Sequence, residues 1–374
     1  MINFWSYKNE YKNYGAKFNK FFDQTLKSGQ IFFGPNLKNF EYKFLKKYKS
    51  KYGVAVGSGT DALLISLMSI NIKNGDEVIT ASNTAIPTIS AIVNSGAKPV
   101  LVDIKEDYLI DTDKIEKKIT KKTKAIIPVH LYGKSCDMEK IIKISKKYKL
   151  SIIEDCAQSQ GAKFNNKFVG TFGSLGCFSF YPTKILGGYG DGGFILTNNF
   201  KLYSNIKKIR FYGIDTIDKK NFFYNKYYAN VNGLNSRLDE INSKILNFKL
   251  SKIDKFILKR RKIAKFYDKE LKNTGLKLPI INSNKFDVYH LYTVFHKKRD
   301  LIIKKLLKEK IQTRIIYPFP IHKMKAYSNF FMNEKYNVSE IKSKGIFSLP
   351  LYPELNIKDV KIICGKLKKI LLSI

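Results

Sequence analysis

Short apolar runs alternate with longer segments of helical periodicity between residues 52 and 155. Such runs are typical of buried strands, and the segments between them place their apolar residues on one helical face. The predicted strands are Val54–Gly57, Glu77–Thr80, Lys98–Val102, Lys124–Pro128 and Leu150–Glu154. The predicted helices are Asp61–Ile70, with Thr60 as its N-cap, Thr84–Ser95 and Met138–Lys147. This alternation predicts an α/β fold with a mostly parallel sheet and helices on both faces.

The segments outside this alternation are more helical. Residues 17–48 read as amphipathic helix pieces, and residues 246–275 as a long basic helical stretch. Beyond them the pattern predicts a strand over His290–His296 and helices over Asp300–Lys310 and Asp359–Leu372. Because 374 residues exceed the ~250–300 that one core usually serves, we predict two domains. These are a large domain over residues 1–245 and a smaller C-terminal α+β domain over residues 246–374.

The formal charge of +37 suggests nucleic acid as a partner at first sight. The excess is almost all lysine, and the lysines are spread over every helical segment without a basic tail. Proteins that read nucleic acids favour arginine, whose planar fork pairs with phosphate and guanine. We therefore expect no nucleic-acid partner, and we interpret Lys259–Lys262 as a solvated helix face. A basic surface still attracts phosphorylated small molecules.

Several other classes of protein are disfavoured. No CxxC pair or HExxH motif occurs, so we expect no metal site. No run reaches the ~20 apolar residues of a membrane span. The segment Met1–Asn13 lacks the apolar stretch of a signal peptide. The expected location is the cytoplasm, where the cysteines stay reduced.

Two strand ends carry residues suited to binding a ligand. Gly57–Ala62 follows a strand and opens a helix, where backbone N–H groups and the helix N-terminus can hold a phosphate. Gly-Ser turns also occur there without any ligand. Asp155 stands at the carboxyl end of its strand, where ligands of open parallel sheets bind. Its carboxylate can pair with a cationic ring nitrogen or a metal, or it can simply cap the following turn.

Lys184 differs from the other lysines in its surroundings. It follows Ser179–Thr183 and precedes the glycine-rich stretch Gly187–Gly193, with no charged neighbour before Asp191. Such glycine density indicates tight turns and close backbone approach. Withdrawal from water lowers the pKa of a lysine and makes its amine a nucleophile.

A phosphate cradle, a strand-end carboxylate and a buried lysine are together what pyridoxal phosphate requires. The lysine binds the cofactor covalently, the carboxylate keeps the pyridine nitrogen protonated, and the cradle holds the phosphate. The sequence therefore predicts pyridoxal phosphate as cofactor.

From about Phe32 to Pro353 the chain resembles the DegT/StrS family of nucleotide-sugar aminotransferases, which are fold-type I enzymes like aspartate aminotransferase. The matching stretches are Gly57–Leu64, Gly75–Ile79, Thr123–Gly133, Ile153–Ala162, Cys177–Gly193 and Gly233–Glu240. Lysine at position 184 disfavours the related sugar dehydratases, which carry histidine there.

The resemblance implies roles for individual residues. Lys184 matches the cofactor-binding lysine and Asp155 the partner of the pyridine nitrogen. Gln158 matches the residue facing the cofactor's phenolic oxygen. The phosphate ligands are implied to be Gly59, Thr60 and Ser179, joined by Asn235 from a neighbouring subunit. An obligate homodimer with shared active sites follows from that last role, although Asn235 can also serve as a helix cap.

Two positions depart from the family pattern. Family members often place an aromatic residue over the cofactor ring in the segment matching Asn83–Ala85, which has none here. Asn83 or an aliphatic side chain is the expected cover. Ile185 replaces an asparagine that often follows the lysine, and nothing in the sequence explains that change.

The resemblance also indicates a substrate class. The segments Pro128–Gly133 and Tyr317–His322 look most like those of members that aminate C3 of nucleotide-linked (dTDP-linked) 3-oxo-6-deoxyhexoses, with glutamate as donor, for surface polysaccharides. Amination of a 4-oxo sugar is the alternative within the family. Tyr317 and His322 are candidates for contacting the sugar, and packing roles for both remain equally open.

Overall fold

The computed structural model describes residues 1–217 and 227–374. Within these ranges the helices are α1 Tyr7–Lys27, α2 Pro35–Tyr48, α3 Gly59–Ser69, α4 Ile86–Asn94, α5 Met138–Tyr148, α6 Phe200–Ile209, α7 Glu240–Leu250, α8 Ile253–Leu271, α9 Arg299–Lys308, α10 Asn337–Gly345 and α11 Ile357–Leu372. The strands of the central sheet are β1 Tyr52–Val56, β2 Glu77–Ala81, β3 Lys98–Val102, β4 Thr123–Ile127, β5 Ser151–Asp155, β8 Leu175–Ser179 and β9 Gly193–Thr197. Smaller sheets contain β6 Lys163–Phe164, β7 Lys167–Phe168, β10 Lys285–Phe286, β11 Tyr292–Phe295 and β12 Ile346–Leu349.

The central sheet has the strand order β1-β9-β8-β5-β4-β2-β3. Strand β9 is antiparallel to both β1 and β8, and the remaining pairings are parallel. Every residue of β2, β8 and β9 is buried, as expected for a sheet covered by helices on both faces. The predicted α/β fold with a mostly parallel sheet is confirmed. Because β1, β2, β4, β5 and β8 run in the same direction, the loops after them meet at one edge.

The start of α3 lies at this edge. Its N-cap is Ser58, whose Oγ accepts a hydrogen bond from the N–H of Asp61 at 3.0 Å. The prediction of Thr60 as N-cap is therefore wrong, because Thr60 already lies in the first helical turn. Helix α4 also begins later than predicted. Ala85 is extended, and Pro87 stands in the first turn, where its missing N–H costs nothing.

The interior contains more than one apolar cluster. Aromatic residues of α2, among them Phe40 and Phe44, pack with β8, β9 and the start of α8 in one of them. Another cluster is built around β11, β12, α9 and α11. Helix α8 contributes Ile253 and Ile257 to the former and Tyr267 to the latter, so it connects the two. The domain boundary near residue 246 stays a prediction.

Among the described residues, no helix combines the length and apolar character needed to cross a membrane.

Candidate active site

Two cavities meet at the edge of the sheet where the parallel strands end. The first has a volume of about 290 Å³, and the second, of about 420 Å³, lies beside it. The first is lined by most of the site residues predicted from the sequence, namely Gly59, Thr60, Asp155, Gln158, Ser179, Lys184 and Tyr317. Four residues line both cavities: Gln158, Tyr181, Lys184 and Tyr317. Segments far apart in the sequence therefore converge around Lys184.

One end of the first cavity is formed by the start of α3. A Cβ atom on Gly59 would lie 2.6 Å from the Cβ of Ser179, so only glycine allows this approach of α3 to β8. A Cβ on Gly193 would lie 2.2 Å from the carbonyl oxygen of Ser58. The first-turn N–H groups of an eleven-residue helix are thereby held beside the hydroxyl of Ser179. This arrangement suits a phosphate group.

Asp155 is buried at the end of β5, with 3% of its surface exposed. Its Oδ2 accepts a hydrogen bond from the Thr88 hydroxyl at 2.8 Å, and its Oδ1 accepts one from the N–H of Ala157 at 3.1 Å. Burial raises the pKa of Asp155, and these two donors, with Lys184, act in the opposite direction. A cationic partner inside the cavity would stabilise the ionised form of this carboxylate.

Lys184 lies in the turn between β8 and β9, where its N–H donates to the carbonyl of Tyr181 at 2.8 Å. Removal of its amine from bulk water lowers the pKa of Lys184 to about 8, while the charge of Asp155 acts in the opposite direction. The shift favours the neutral amine, which is the form that a nucleophilic lysine requires.

Gln158 and Tyr317 form a hydrogen-bonded pair between the cavities. The amide oxygen of Gln158 accepts from the N–H of Tyr132 at 2.8 Å, and its Nε2 donates to the hydroxyl oxygen of Tyr317 at 2.8 Å. Tyr132 and Tyr317 have φ values of 59° and 64°, which few non-glycine residues adopt. Burial raises the pKa of Tyr317, so its phenol is neutral and retains a proton to donate.

Three residues considered in the sequence analysis lie outside both cavities. Asn235 is exposed, in a segment that bridges to Phe211. His322 is buried, and its Nε2 forms a hydrogen bond with Oε1 of Glu340 at 2.9 Å. Asn83 is buried as well, while Ala85, Ile86 and Pro87 line the first cavity. Aliphatic side chains, and not Asn83, face the cavity where many family members have an aromatic residue.

Two further residues at the site could not be recognised from the sequence. Thr88 lies within α4, and only the fold brings its hydroxyl to Asp155. His290 lines the second cavity, and its buried Nδ1 has no hydrogen-bond partner among the described residues. Burial lowers the pKa of His290, and the nearby positive charges of Lys184 and Arg260 lower it further, so its ring is neutral. Its place at the start of a predicted strand gave no functional signal.

A set of potential metal ligands lies next to Asp155. Atoms of His130, Glu154 and Cys156 come within 4.8 Å of one another in the core. The Glu154 carboxylate already accepts hydrogen bonds from the N–H groups of Gly170 and Gly173 at 2.7 Å each, and it lies 3.1 Å from Nε2 of His130. These hydrogen bonds explain the cluster without a metal ion, because they anchor the loop that precedes β8.

The first cavity fits pyridoxal phosphate. The close approach at Gly59 and Ser179 leaves N–H and hydroxyl donors for the phosphate. Buried Asp155 suits a protonated ring nitrogen, and Lys184 offers an amine of lowered pKa. A mostly parallel sheet that carries these groups at its carboxyl edge defines a fold-type I enzyme dependent on pyridoxal phosphate.

Comparison with known proteins identifies the family. The sequence profile of the DegT/DnrJ/EryC1/StrS aminotransferase family matches residues 12–368, and the chain belongs to this family. It is a nucleotide-sugar aminotransferase that depends on pyridoxal phosphate.

Individual relatives are similar over nearly their whole length. The chain is 42% identical to a dTDP-3-amino-3,6-dideoxy-alpha-D-galactopyranose transaminase of Aneurinibacillus thermoaerophilus, over 96% of this chain and 97% of that protein. It is 38% identical to a dTDP-3-amino-3,4,6-trideoxy-alpha-D-glucose transaminase of Micromonospora megalomicea subsp. nigra, over 94% of each. The crystal structure of DesV from S. venezuelae superposes with a TM-score of 0.94 at 33% identity, covering 99% of this chain and 98% of that one.

We expect Lys184→Ala to fold but to lose the covalent attachment of pyridoxal phosphate, because its methyl group cannot replace the amine. Borohydride reduction of the wild-type holoenzyme, followed by peptide mapping, should place the phosphopyridoxyl group on Lys184. Lys201→Ala, on the exposed surface of α6, is the matched control and should keep the cofactor. A phosphopyridoxyl group on any other lysine would contradict the assignment.

Proposed function

We propose that this enzyme transfers an amino group from glutamate to C3 of a dTDP-linked 3-oxo-6-deoxyhexose, giving the 3-amino sugar for surface polysaccharide synthesis. The observation that carries the proposal is the placement of Lys184 in the wall shared by the two cavities. A group bound in the first cavity and a sugar bound in the second would both reach its amine.

Different residues of the first cavity would bind different parts of the cofactor. Bound pyridoxal phosphate supplies an electron sink that allows an amino group to move between an amino acid and a carbonyl compound. Gly59, Thr60 and Ser179 would hold its phosphate at the start of α3. Asp155, fixed by Thr88, would keep the ring nitrogen protonated.

The remaining groups handle the proton and orient the ring. Lys184 would bind the cofactor, and when its amine is free its Nζ would carry a proton, for which a pKa of about 8 is suited. Gln158, oriented by the N–H of Tyr132 and the hydroxyl of Tyr317, would face the phenolic oxygen of the cofactor. Tyr317 then has its own proton free to donate to the sugar.

The preference for C3 and for dTDP rests on the relatives. Two of them are named as transaminases of dTDP-linked 3-amino sugars and match over nearly the whole chain. The second cavity is compatible with a 6-deoxy sugar, because Leu291, Ile316 and Leu351 give it an apolar wall for a methyl group. Amination at C4 of a 4-oxo sugar is the competing assignment. The cytoplasmic location of the enzyme stays a prediction from the sequence.

A panel of nucleotide sugars tests the proposed reaction. We expect the holoenzyme with glutamate to aminate dTDP-linked 3-oxo-6-deoxyhexoses, read as the mass of the amino sugar. The matched 4-oxo isomers and the UDP-linked 3-oxo sugars should react at least tenfold more slowly in kcat/KM. Faster turnover of a 4-oxo isomer would reverse the regiochemistry, and a lack of turnover with every sugar would refute the proposal.

The role of Asp155 can be tested separately. Asp155→Asn should retain pyridoxal phosphate but slow single-turnover transamination with glutamate by at least ~10²-fold, because a neutral amide cannot keep the ring nitrogen protonated. Absorbance spectra verify that the cofactor is retained. Asp300→Asn, at an exposed site at the start of α9, serves as control. A rate for Asp155→Asn within twofold of wild type would refute the role.

We further propose a homodimer in which Asn235 completes the phosphate site of the partner. The hydroxyl of Ser236 points inward, accepting from the N–H of Gly57 at 2.8 Å and donating to Asp61 at 2.6 Å. The adjacent Asn235 is exposed. Its neighbourhood includes exposed apolar side chains that suit a second copy, namely Phe32, Tyr212, Tyr228 and Val231.

Mixing of two inactive variants tests the shared site. In a heterodimer of Lys184→Ala and Asn235→Asp chains, one site carries both defects and the other carries neither. Activity should therefore return on mixing. The added charge makes Asn235→Asp a severe lesion, because two anions would face each other in a poorly solvated site. No recovery in heterodimers verified by mass would mean that Asn235 acts within its own subunit.

A further inference from the structure

The segment Met1–Ser6 is held against the C-terminal part of the chain beside the second cavity. The N–H of Ile2 donates to the carbonyl of Lys310 at 2.8 Å, and the N–H of Gln312 donates to the carbonyl of Ile2 at 3.0 Å. The N–H of Phe4 donates to the side-chain oxygen of Gln312 at 3.3 Å. Three hydrogen bonds therefore fix the segment beside the second cavity, which Lys184 also lines.

Trp5 is the single tryptophan of the chain and lines that cavity together with Lys184. Its ring packs at 5.7 Å from the ring of Tyr352, measured between centroids, and the guanidinium of Arg260 lies 5.3 Å from its centroid. Arg260 is itself fully buried and bonded to backbone carbonyls. Contacts on the protein side therefore fix the position of the indole.

The second cavity matches a sugar better than an amino-acid donor. Phe4, Trp5 and Tyr7 give it an aromatic wall, and aromatic faces pack against the C–H groups of a pyranose ring. Its residues in the described chain include Arg314 but neither aspartate nor glutamate, so a diphosphate group nearby is tolerated. Its volume of about 420 Å³ also exceeds what glutamate would fill.

The first cavity includes none of Phe4, Trp5 and Tyr7. None of its lining residues in the described chain precedes Ser58. A change in Met1–Ser6 can therefore alter the second cavity without touching the groups that hold pyridoxal phosphate.

We propose that Trp5 is a specificity-determining residue that contacts the hexose of the nucleotide sugar, and not the cofactor or the amino donor. This inference rests on the proposed function for the identity of the substrate. Trp5 packs on one face of the sugar ring and places the sugar carbonyl towards Lys184.

The emission of Trp5 gives a direct test. Titration of the holoenzyme with dTDP-glucose or UDP-N-acetylglucosamine, which carry no oxo group to aminate, should shift or quench the emission in a saturable manner. Glutarate, a dicarboxylate without an amine, should leave it unchanged. A response to glutarate alone, or to none of the three probes, would overturn the inference.

Variants supply the second test. Trp5→Ala should raise KM for the sugar turned over in the panel by about tenfold, which is the value of a lost aromatic contact. Its KM for glutamate and its affinity for pyridoxal phosphate should stay within twofold of wild type. Trp5→Phe keeps a ring and should restore KM for the sugar to within threefold. Tyr42→Ala, at an exposed aromatic residue of α2, is the matched control.

The outcomes separate this inference from the proposed function. If the panel shows no amination but the two nucleotide sugars still change the emission, the reaction is wrong and the site for the hexose stands. If the panel shows amination but Trp5→Ala has an unchanged KM for the sugar, the role of Trp5 is refuted. Should Trp5→Ala fail to fold, the emission titration of the wild type decides.

Discussion

The site depends on withdrawing a carboxylate and an amine from water at one edge of the sheet without pairing them with each other. The charges of Asp155 and Lys184 act on each other's pKa, but burial has the larger effect on both. Each is held by neutral groups, Asp155 by Thr88 and a backbone N–H, and Lys184 by the turn that carries it. Burial shifts both pKa values towards the neutral forms. The two groups are therefore left to act on a bound molecule.

Glycine makes this arrangement possible where main chains must nearly touch. At Gly59 and Gly193 an added Cβ would collide with Ser179 or with the backbone at Ser58. The donors at the start of α3 can therefore lie against β8 and β9 with no side chain between them. The antiparallel direction of β9 then returns the chain along the sheet, so that Lys184 comes from the turn between these strands.

Much of the fold and part of the site could be predicted from the sequence, because strand ends and glycine clusters leave local traces. Asp155 stands at a strand end and Lys184 precedes a glycine cluster, so both could be recognised as candidate site residues. The same local pattern misplaced the cap of α3, since Ser58 and Thr60 both belong to residue types that favour N-caps. Contacts across the chain leave no trace of this kind. Thr88 and His290 reach the site only through the packing of the fold. The hydrogen bond from the N–H of Ile2 to the carbonyl of Lys310 likewise joins residues far apart in the sequence.

The insertion of β9 between β1 and β8 has a consequence for synthesis on the ribosome. Residues 52–56 pair with residues 193–197, so β1 lacks the strand beside it in the described sheet until β9 has emerged. A growing chain of up to about half the final length therefore exposes an unpaired edge at β1, and the phosphate-binding end of the first cavity does not yet exist. Closure of so long a loop is a slow step in folding, and the nascent enzyme cannot be stabilised by its cofactor before that step is complete.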